Sequence, residues 1–350
     1  MLSHPAEKFR NLVTYVGMLL LACVIWTAEA AADTRIASWN MKRLDSSDAD
    51  LKFETAARVM AHFDFISVQE VMDEPSLLRL VNELQEVTGS EWGMMPSHAI
   101  GRGSYKEHYA FFWRKSDVQY VDGAVVFLDS RDVFAREPLS ARFRTNEGET
   151  FVAANIHVLY GDGKEDRVPE IKALASYWAW LGESFPNEQF FLMGDFNMEP
   201  KEYSWDALKQ VATPLITVGG TTLAYKDGEY ANLYDNIWVP NNLRAHVQAG
   251  IFDLPSYTGM SNKQTRDQIS DHAPVYMILS DMDEESGHFD PRMLKLEEQT
   301  SLIRGNKNSE IYHLPGCGSY NDMARSPNLQ EFATEQMAIQ AGYRRARNCS

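Results

Sequence analysis

The chain has 350 residues, 44% of them hydrophobic and 23% charged, with a formal charge of -16. That length holds one large domain and a small one, or two of medium size. The acidic balance excludes passive electrostatic wrapping of a polyanion, whose phosphates need neutralising, but not an enzyme that reaches phosphate through bound divalent cations.

In chain order, Lys8 and Arg10 precede an apolar run from Leu12 to Trp26, and Ala28-Glu29-Ala30 offers a small-residue cleavage site. The pattern is that of a secretory signal peptide over residues 1–30; the run is short for an uncleaved membrane anchor. Cleavage removes Cys23 and leaves Cys317 and Cys349. The mature protein is expected to be secreted or periplasmic, in an oxidising compartment and away from the membrane. Arg35–Asn40 (RIASWN) reads as a short strand, and Phe53–Phe63 places Phe53, Ala56, Ala57 and Met60 at helical spacing. Asp64–Glu70 (DFISVQE) is an apolar strand ending at Gln69-Glu70, and Ser76–Thr88 an amphipathic helix with Leu77, Leu80, Val81 and Leu84 on one face. Tyr109–Arg114 and Phe151–Val158 are strands, the second with His157 near its end; Val168–Leu181 is a helix. Phe190–Pro200 (FFLMGDFNMEP) is a buried strand that turns at Gly194 and presents Asp195 and Asn197. Asn236–Val239 and Pro274–Leu279 are strands preceded by Tyr234-Asp235 and Ser270-Asp271-His272.

One pattern recurs. Asn40, Glu70, His157, Asp195, Asn197, Asp235, Asp271 and His272 each sit at or beside the end of an apolar strand. Singly, each has an ordinary reading as a strand-end, turn or cap residue. Together they are hard to explain by turn chemistry, and rigidly held loops are favoured places for catalytic groups. Carboxylates suit Mg2+, Mn2+ or Ca2+. Histidines with acidic partners suit proton transfer near neutral pH. No Cys–His nucleophile and no phosphate-cradling P-loop is present.

The stretches RIASWNM, ISVQEVMD, GRGSYKEHYAFFWR, FAREPLSARF, FVAANIHV, MGDFNMEP, YDNIWV and ISDHAPV follow one another over Thr34 to Ser280. In that order they resemble the endonuclease/exonuclease/phosphatase superfamily, and more narrowly its deoxyribonuclease I branch. GDFN with SDH carries only the superfamily, whereas SYKEHYAFFWR with FAREP carries the branch. The resemblance implies an α/β fold, a four-layer α/β/β/α sandwich with its active site at one rim. It implies Glu70 as a metal carboxylate, Asp195, Asp271 and Asn40 around a second metal position, and Asn197 orienting the scissile phosphate. It pairs His157 with Glu107 and His272 with Asp235, puts Arg136 on a phosphate oxygen, and stacks Tyr105 against a sugar. Mg2+ or Mn2+ is the implied cofactor, with Ca2+ as an alternative, and DNA the implied substrate. The sequence departs from the family at Met72, where a minor-groove arginine is expected, so single strands or RNA become candidate substrates too. No cysteine lies between Asp33 and Asp281, so the family's disulfide partners are missing.

The tail, residues 303–349, resembles the small metal-binding domain of the Ada DNA-repair protein and is expected to be a small α+β unit. His313, Cys317 and Cys349 match three ligand positions, and Ala346 stands at the fourth. Structural zinc needs four ligands, so a Cys317–Cys349 disulfide or a metal-free fold is expected over Zn2+. Arg344, Arg345 and Arg347 make this end locally basic. The expected organisation is a signal peptide (1–30), a nuclease domain (33–281), an acidic linker (282–302) and the Ada-like unit (303–349). The expected function is that of an exported, divalent-metal-dependent endonuclease. The alternatives are a phosphodiesterase or phosphatase on lipid or sugar phosphates, and a non-catalytic binding module on the same scaffold.

Overall fold

The computed structural model describes residues 33–244, 247–279, 303–314, 317, 319–323, 326–332, 335–347 and 349. The leader (1–30) and the acidic linker (282–302) lie outside the described residues. The chain opens with β1 (Thr34–Leu44), α1 (Asp50–Met60), β2 (Phe65–Val71), α2 (Glu74–Thr88), β3 (Trp92–Pro96) and β4 (His108–Arg114). It continues with β5 (Val118–Val126), β6 (Leu139–Thr145), β7 (Thr150–His157), α3 (Lys164–Ser184), β8 (Gln189–Asp195), β9 (Ala212–Pro214) and β10 (Asp235–Pro240). Then come β11 (Val247–Ile251), α4 (Leu254–Thr258), α5 (Asn262–Gln268) and β12 (Val275–Leu279). One six-stranded sheet has the order β11-β12-β1-β2-β4-β3, and a second has the order β5-β6-β7-β8-β10-β9.

Strand alternation sorts the side chains into layers, because successive residues face opposite sides of a sheet. In β7, Phe151 and Ala153 enter the core between the sheets, while Val152, Ala154 and Ile156 face α3. In β8, Phe191 and Met193 face inward while Phe190 and Leu192 join the α3 side. Across the seam, Ile36 and Phe65 face the second sheet, while Ala37, Trp39, Ile66 and Val68 pack towards α1 and α2. Strands buried on both faces read as near-continuous apolar runs, which is why these were legible. The expected four-layer α/β/β/α arrangement is the one observed.

The termini of α2 follow its sequence: Asp73 accepts from the Ser76 N–H, Pro75 occupies the first turn, and Gly89 closes the helix at φ 63. The helix expected from Val168 begins at Lys164 and continues to Ser184. Its first turn is organised by the Asp166 carboxylate, which accepts from the Asp162 and Gly163 N–H groups, and Pro169 is tolerated within it. No helix among the described residues is long and apolar enough to cross a membrane.

The tail forms β13 (Ile303–Asn306), β14 (Ile311–His313), α6 (Tyr320–Met323), β15 (Leu329–Phe332), α7 (Glu335–Gln340) and β16 (Arg344–Arg345). Its sheet has the order β15-β13-β14-β16. Ile303, Tyr312, Phe332, Met337 and Ala338 belong to the same apolar cluster as Phe252, Leu254 and Met260, and Gln330 donates to the Gly259 carbonyl at 3.3 Å. Cys317 and Cys349 form a disulfide with Cα atoms 4.9 Å apart, while Ala346 is buried and donates its N–H to Tyr312 O.

Two predictions follow from this packing. Protein starting at Asp33 is expected to show no free thiol on titration of denatured, unreduced sample. Reduction should cost the tail about 3–4 kcal/mol on the chain-entropy model, and two titratable thiols would refute the pairing. The second concerns His62, which is 3% exposed, packed on Phe252 and Tyr257 with ring centroids 5.3 Å away, and leaves a buried Nε2 without a partner. Burial, aided by Arg35, pushes its pKa down to about 4. The neutral ring is the folded form, so its contribution is complete above the unfolded pKa near 6.5 and lost as pH falls towards 4. Between pH 7 and 5, His62→Phe is expected to remove about 2 kcal/mol of the wild-type loss of stability; identical losses by urea titration would refute this.

Candidate active site

The topology gathers the strand-end residues at one rim. β1 and β2 run parallel, as do β7 and β8, so their C-terminal ends bring Asn40, Glu70, His157 and Asp195 to the same edge. β12 is antiparallel to β1 and β10 to β8, so these strands contribute residues from their starts: His272 before β12, and Asp235 opposite Asp195. The rim surrounds a cavity of about 740 Å3 whose walls include Glu70, Tyr105, Arg136, His157, Asp195 and His272. Asn197 and Asp271 also line it.

Two histidine–carboxylate pairs face each other there. His157 Nδ1 lies 2.9 Å from Glu107 Oε1, and His272 Nδ1 lies 2.8 Å from Asp235 Oδ2. The opposite ring nitrogens converge on one atom: His157 Nε2 is 3.6 Å and His272 Nε2 3.7 Å from Asp195 Oδ2. Burial opposes the charge on His272, but Asp235 and Asp195 outweigh it and push the pKa up to about 10. Burial likewise opposes protonation of His157, and the Glu107 charge overcomes it, raising the pKa while Arg136 acts against the rise. Glu107 is fully buried, yet His157 and Arg136 together hold its carboxyl below the usual range. Burial pushes Asp195 up, with His272 opposing and Asp235 adding to the rise.

Asn40 Nδ2 donates to Glu70 Oε1 at 3.0 Å and to Asp195 Oδ2 at 3.1 Å, while its oxygen accepts from the Lys42 N–H. Asn40 therefore meets the two carboxylates with its amide N–H. Asp195, Asp235 and His272 form a trio whose ligand atoms all lie within 4.8 Å of one another. Asp271, expected beside Asp195, has its carboxylate 3.5 Å from Arg266 Nη2. Asp235 Oδ1 is buried with no hydrogen-bond partner. Arg136 spends Nε on His157 O and Nη2 on Val158 O, and stands 3.6 Å from Glu107. It thus braces the His157 strand end as well as lining the cavity. Tyr105 donates to Glu107 Oε2 and has Arg43 and Arg136 5.3 and 5.7 Å from its ring centroid. His313 of the tail lies in β14, and both tail sulfurs are joined to each other.

The backbone here is unusual. Glu70 and Asn197 have φ of 56° and 49°, the left-handed region that non-glycine residues seldom occupy. Asn197 Nδ2 donates to Val158 O, and its N–H donates to Asp195 Oδ1. Gly194 is required by the approach of β7: a Cβ there would stand 1.8 Å from Ile156 O.

Several supporting residues were not foreseen. Arg167 is buried and donates to Tyr160 O at 2.7 Å and Asn197 O at 2.5 Å. Glu170 is buried and accepts from the Ala135 and Leu159 N–H groups, fixing the loops that carry Arg136 and follow His157. Both sit in phase with the buried stripe Ile171, Leu174 and Trp178 of α3, and a charge in a buried phase is the signal that would have identified them. Tyr109 accepts from the His157 N–H at 2.8 Å through its hydroxyl.

No family model matches the chain. A deoxyribonuclease of Thioalkalivibrio sp. (strain K90mix) is 40% identical over 304 residues, covering 81% of this chain and 84% of its own. Deoxyribonuclease-1 of Homo sapiens is 30% identical over 292 residues, covering 75% of this chain and 99% of its own. Among solved structures, an endonuclease/exonuclease/phosphatase family protein from Bacteroides thetaiotaomicron aligns with a TM-score of 0.54 at 18% identity, over 72% of this chain and 99% of that one. A mannosyl-6-phosphatase from the same organism aligns with a TM-score of 0.54 at 20% identity, over 70% and 99% of the two chains. At such identities the solved structures share the fold.

The charge balance of the second pair is open to measurement. In Asp235→Asn the His272 titration midpoint, followed by NMR in metal-free protein, is expected to fall from near 10 towards 6.5. An unmoved midpoint would show that Asp235 does not set it.

Proposed function

The chain belongs to the deoxyribonuclease I-like family of the endonuclease/exonuclease/phosphatase superfamily, and from that premise we propose that it is an exported endonuclease hydrolysing DNA phosphodiesters with a divalent cation. The observation that carries the reading is the convergence of His157 Nε2 and His272 Nε2 on Asp195 Oδ2, each ring backed by a buried carboxylate. A phosphodiester seated between them meets one imidazole on the side of the attacking water and the other on the side of the leaving oxygen. His272, with its pKa pushed up to about 10, enters protonated and acts as general acid. His157, whose rise Arg136 restrains, acts as general base: its Nε2 takes the water proton as the new P–O bond forms. His272 Nε2 gives its proton to the departing oxygen. Glu107 and Asp235 hold the rings by their Nδ1 atoms and stabilise the cation each ring carries in turn. Asn197 and Arg136 orient the phosphate oxygens.

The donor set fits a hard divalent ion. Glu70 and Asp195 share one amide donor, and the buried Asp235 Oδ1 has no partner. Oxygen ligands of this kind suit Mg2+, Mn2+ or Ca2+. Glu70 and Asp195 would hold the ion, with Asp271 on the same cavity wall beside the second metal position, and the ion would supply charge to offset the negative phosphate. Export is supported by the leader pattern of residues 1–30 and the Cys317–Cys349 bond; a cell extract holding all the protein with its leader uncut would refute it. The Ada-like reading of the tail rests on the positions of His313, Cys317 and Cys349.

Purified protein is expected to nick plasmid DNA with Mg2+ or Mn2+ and to stop in EDTA, faster than it cuts RNA or a lipid phosphodiester. His157→Ala and His272→Ala should each lower the rate at least about a hundredfold, with the double variant far short of the product. Wild-type turnover in either single variant, or activity undiminished by EDTA, would refute the mechanism.

A further inference from the structure

Tyr120, Tyr160, Tyr203 and Tyr225 are the exposed tyrosines among the described residues, and Tyr160 and Tyr225 line the cavity. Both share that cavity with His157 and His272. Tyr160 follows His157 by three residues. Tyr225 closes a segment tied to the other pair, where Thr222 bridges His272 and the Leu223 N–H donates to Asp271 O at 2.8 Å. Each ring carries a guanidinium. Arg167 lies 4.3 Å from the Tyr160 centroid and Arg266 4.5 Å from that of Tyr225. Neither guanidinium is free to swing. Arg167 is buried and bonded to the carbonyls of Tyr160 and Asn197. Arg266 is bonded to the Leu223 carbonyl and the Asp271 carboxylate. Even so, Tyr160 remains 59% and Tyr225 71% exposed. The rings are held in place by cations and open to solvent at the cavity mouth.

Such a ring has little to do for a paired, stacked duplex, whose base faces are already covered. It suits an unpaired base, because every base presents a π-face and stacking needs no sequence-specific hydrogen bond. Stacking also adds binding that does not depend on net charge, in a chain whose formal charge is -16. We propose that Tyr160 and Tyr225 are stacking platforms for the bases on either side of the scissile phosphate, and that single-stranded DNA is a substrate of this site. The proposal rests on the nuclease reading above.

The test is kcat/KM on a single-stranded oligodeoxynucleotide, a duplex of the same sequence, and bis(p-nitrophenyl) phosphate, which has no flanking base. Thermal unfolding midpoints are recorded alongside. The wild type is expected to cut the single strand. Tyr160→Ala and Tyr225→Ala should each lose about tenfold on it, chiefly through KM. Tyr160→Phe and Tyr225→Phe should keep most of the activity, and the small diester should change by less than about twofold. Alanine variants that match wild type on the single strand would overturn the proposal. Equal losses on the small diester would overturn it too, by showing that the rings only support Arg167 and Arg266. A wild type that cuts the duplex but not the single strand refutes this proposal and leaves the nuclease reading standing. A wild type that cuts no nucleic acid removes the nuclease reading itself.

Discussion

Two carboxylates from different sheets, Glu70 and Asp195, are held together by the amide of Asn40. Like charges at close range repel strongly where water is scarce, so a fixed donor between them is a condition for the rim to exist in this form. Other polar ties cross the same seam. Gln69 donates to Asn155 Oδ1 at 2.7 Å, and Asn155 donates to Val68 O at 2.8 Å. Within the first sheet, Trp39 Nε1 reaches His272 O, and Ser270 Oγ reaches Asn40 O. The apolar core between the sheets sets their spacing, and these bonds set the registration of one rim against the other. A histidine carried by one sheet can therefore face a carboxylate carried by the other.

The rim also holds backbone in conformations that cost free energy. Glu70 and Asn197 sit in the left-handed region, a conformation with a typical cost of about 1–3 kcal/mol each. Both are over-determined by their surroundings. The Glu70 carboxylate accepts from Asn40 and from the Arg43 N–H. The Asn197 carbonyl accepts from Arg167, and its side chain donates to Val158 O. The buried guanidinium of Arg167 and the buried carboxylate of Glu170 are thus structural parts of the site, although neither lines the cavity.

The long apolar strands and the amphipathic helices α1 and α2 were legible in the sequence because burial on one or two faces leaves a clear period. The strand ends that carry Asn40, Glu70, His157, Asp195, Asp235 and His272 were legible for the same reason. Strands β5 and β6 were not foreseen: β5 carries a broken burial pattern with Gly123, and β6 is interrupted by Arg142, which pairs with both Asp122 and Glu188, and by the exposed Arg144. α3 begins before its apolar stripe at Val168, because the turn built on the Asp166 carboxylate precedes it and carries no apolar period. The pairings of the two histidines came from likeness to a family, since residues 50 and 37 positions apart cannot be joined by spacing. The Arg–Tyr stacks at the cavity mouth depend on loop geometry that no local pattern encodes.

The tail shares its apolar cluster with α1, α2 and α4, and β1 lies between β2 and β12, its first residue opposite Leu279. The earliest strand of the sequence therefore waits for β12 before both of its edges are paired. A chain made from its N-terminus carries β1 with one edge unpaired until β12 follows. A premature stop before β12 would leave the β1 edge of the first sheet open, and such a product would be prone to aggregation. The first strand of the sequence is thus paired by the last strand of its sheet, and the two ends of the nuclease fold are made in one step of assembly.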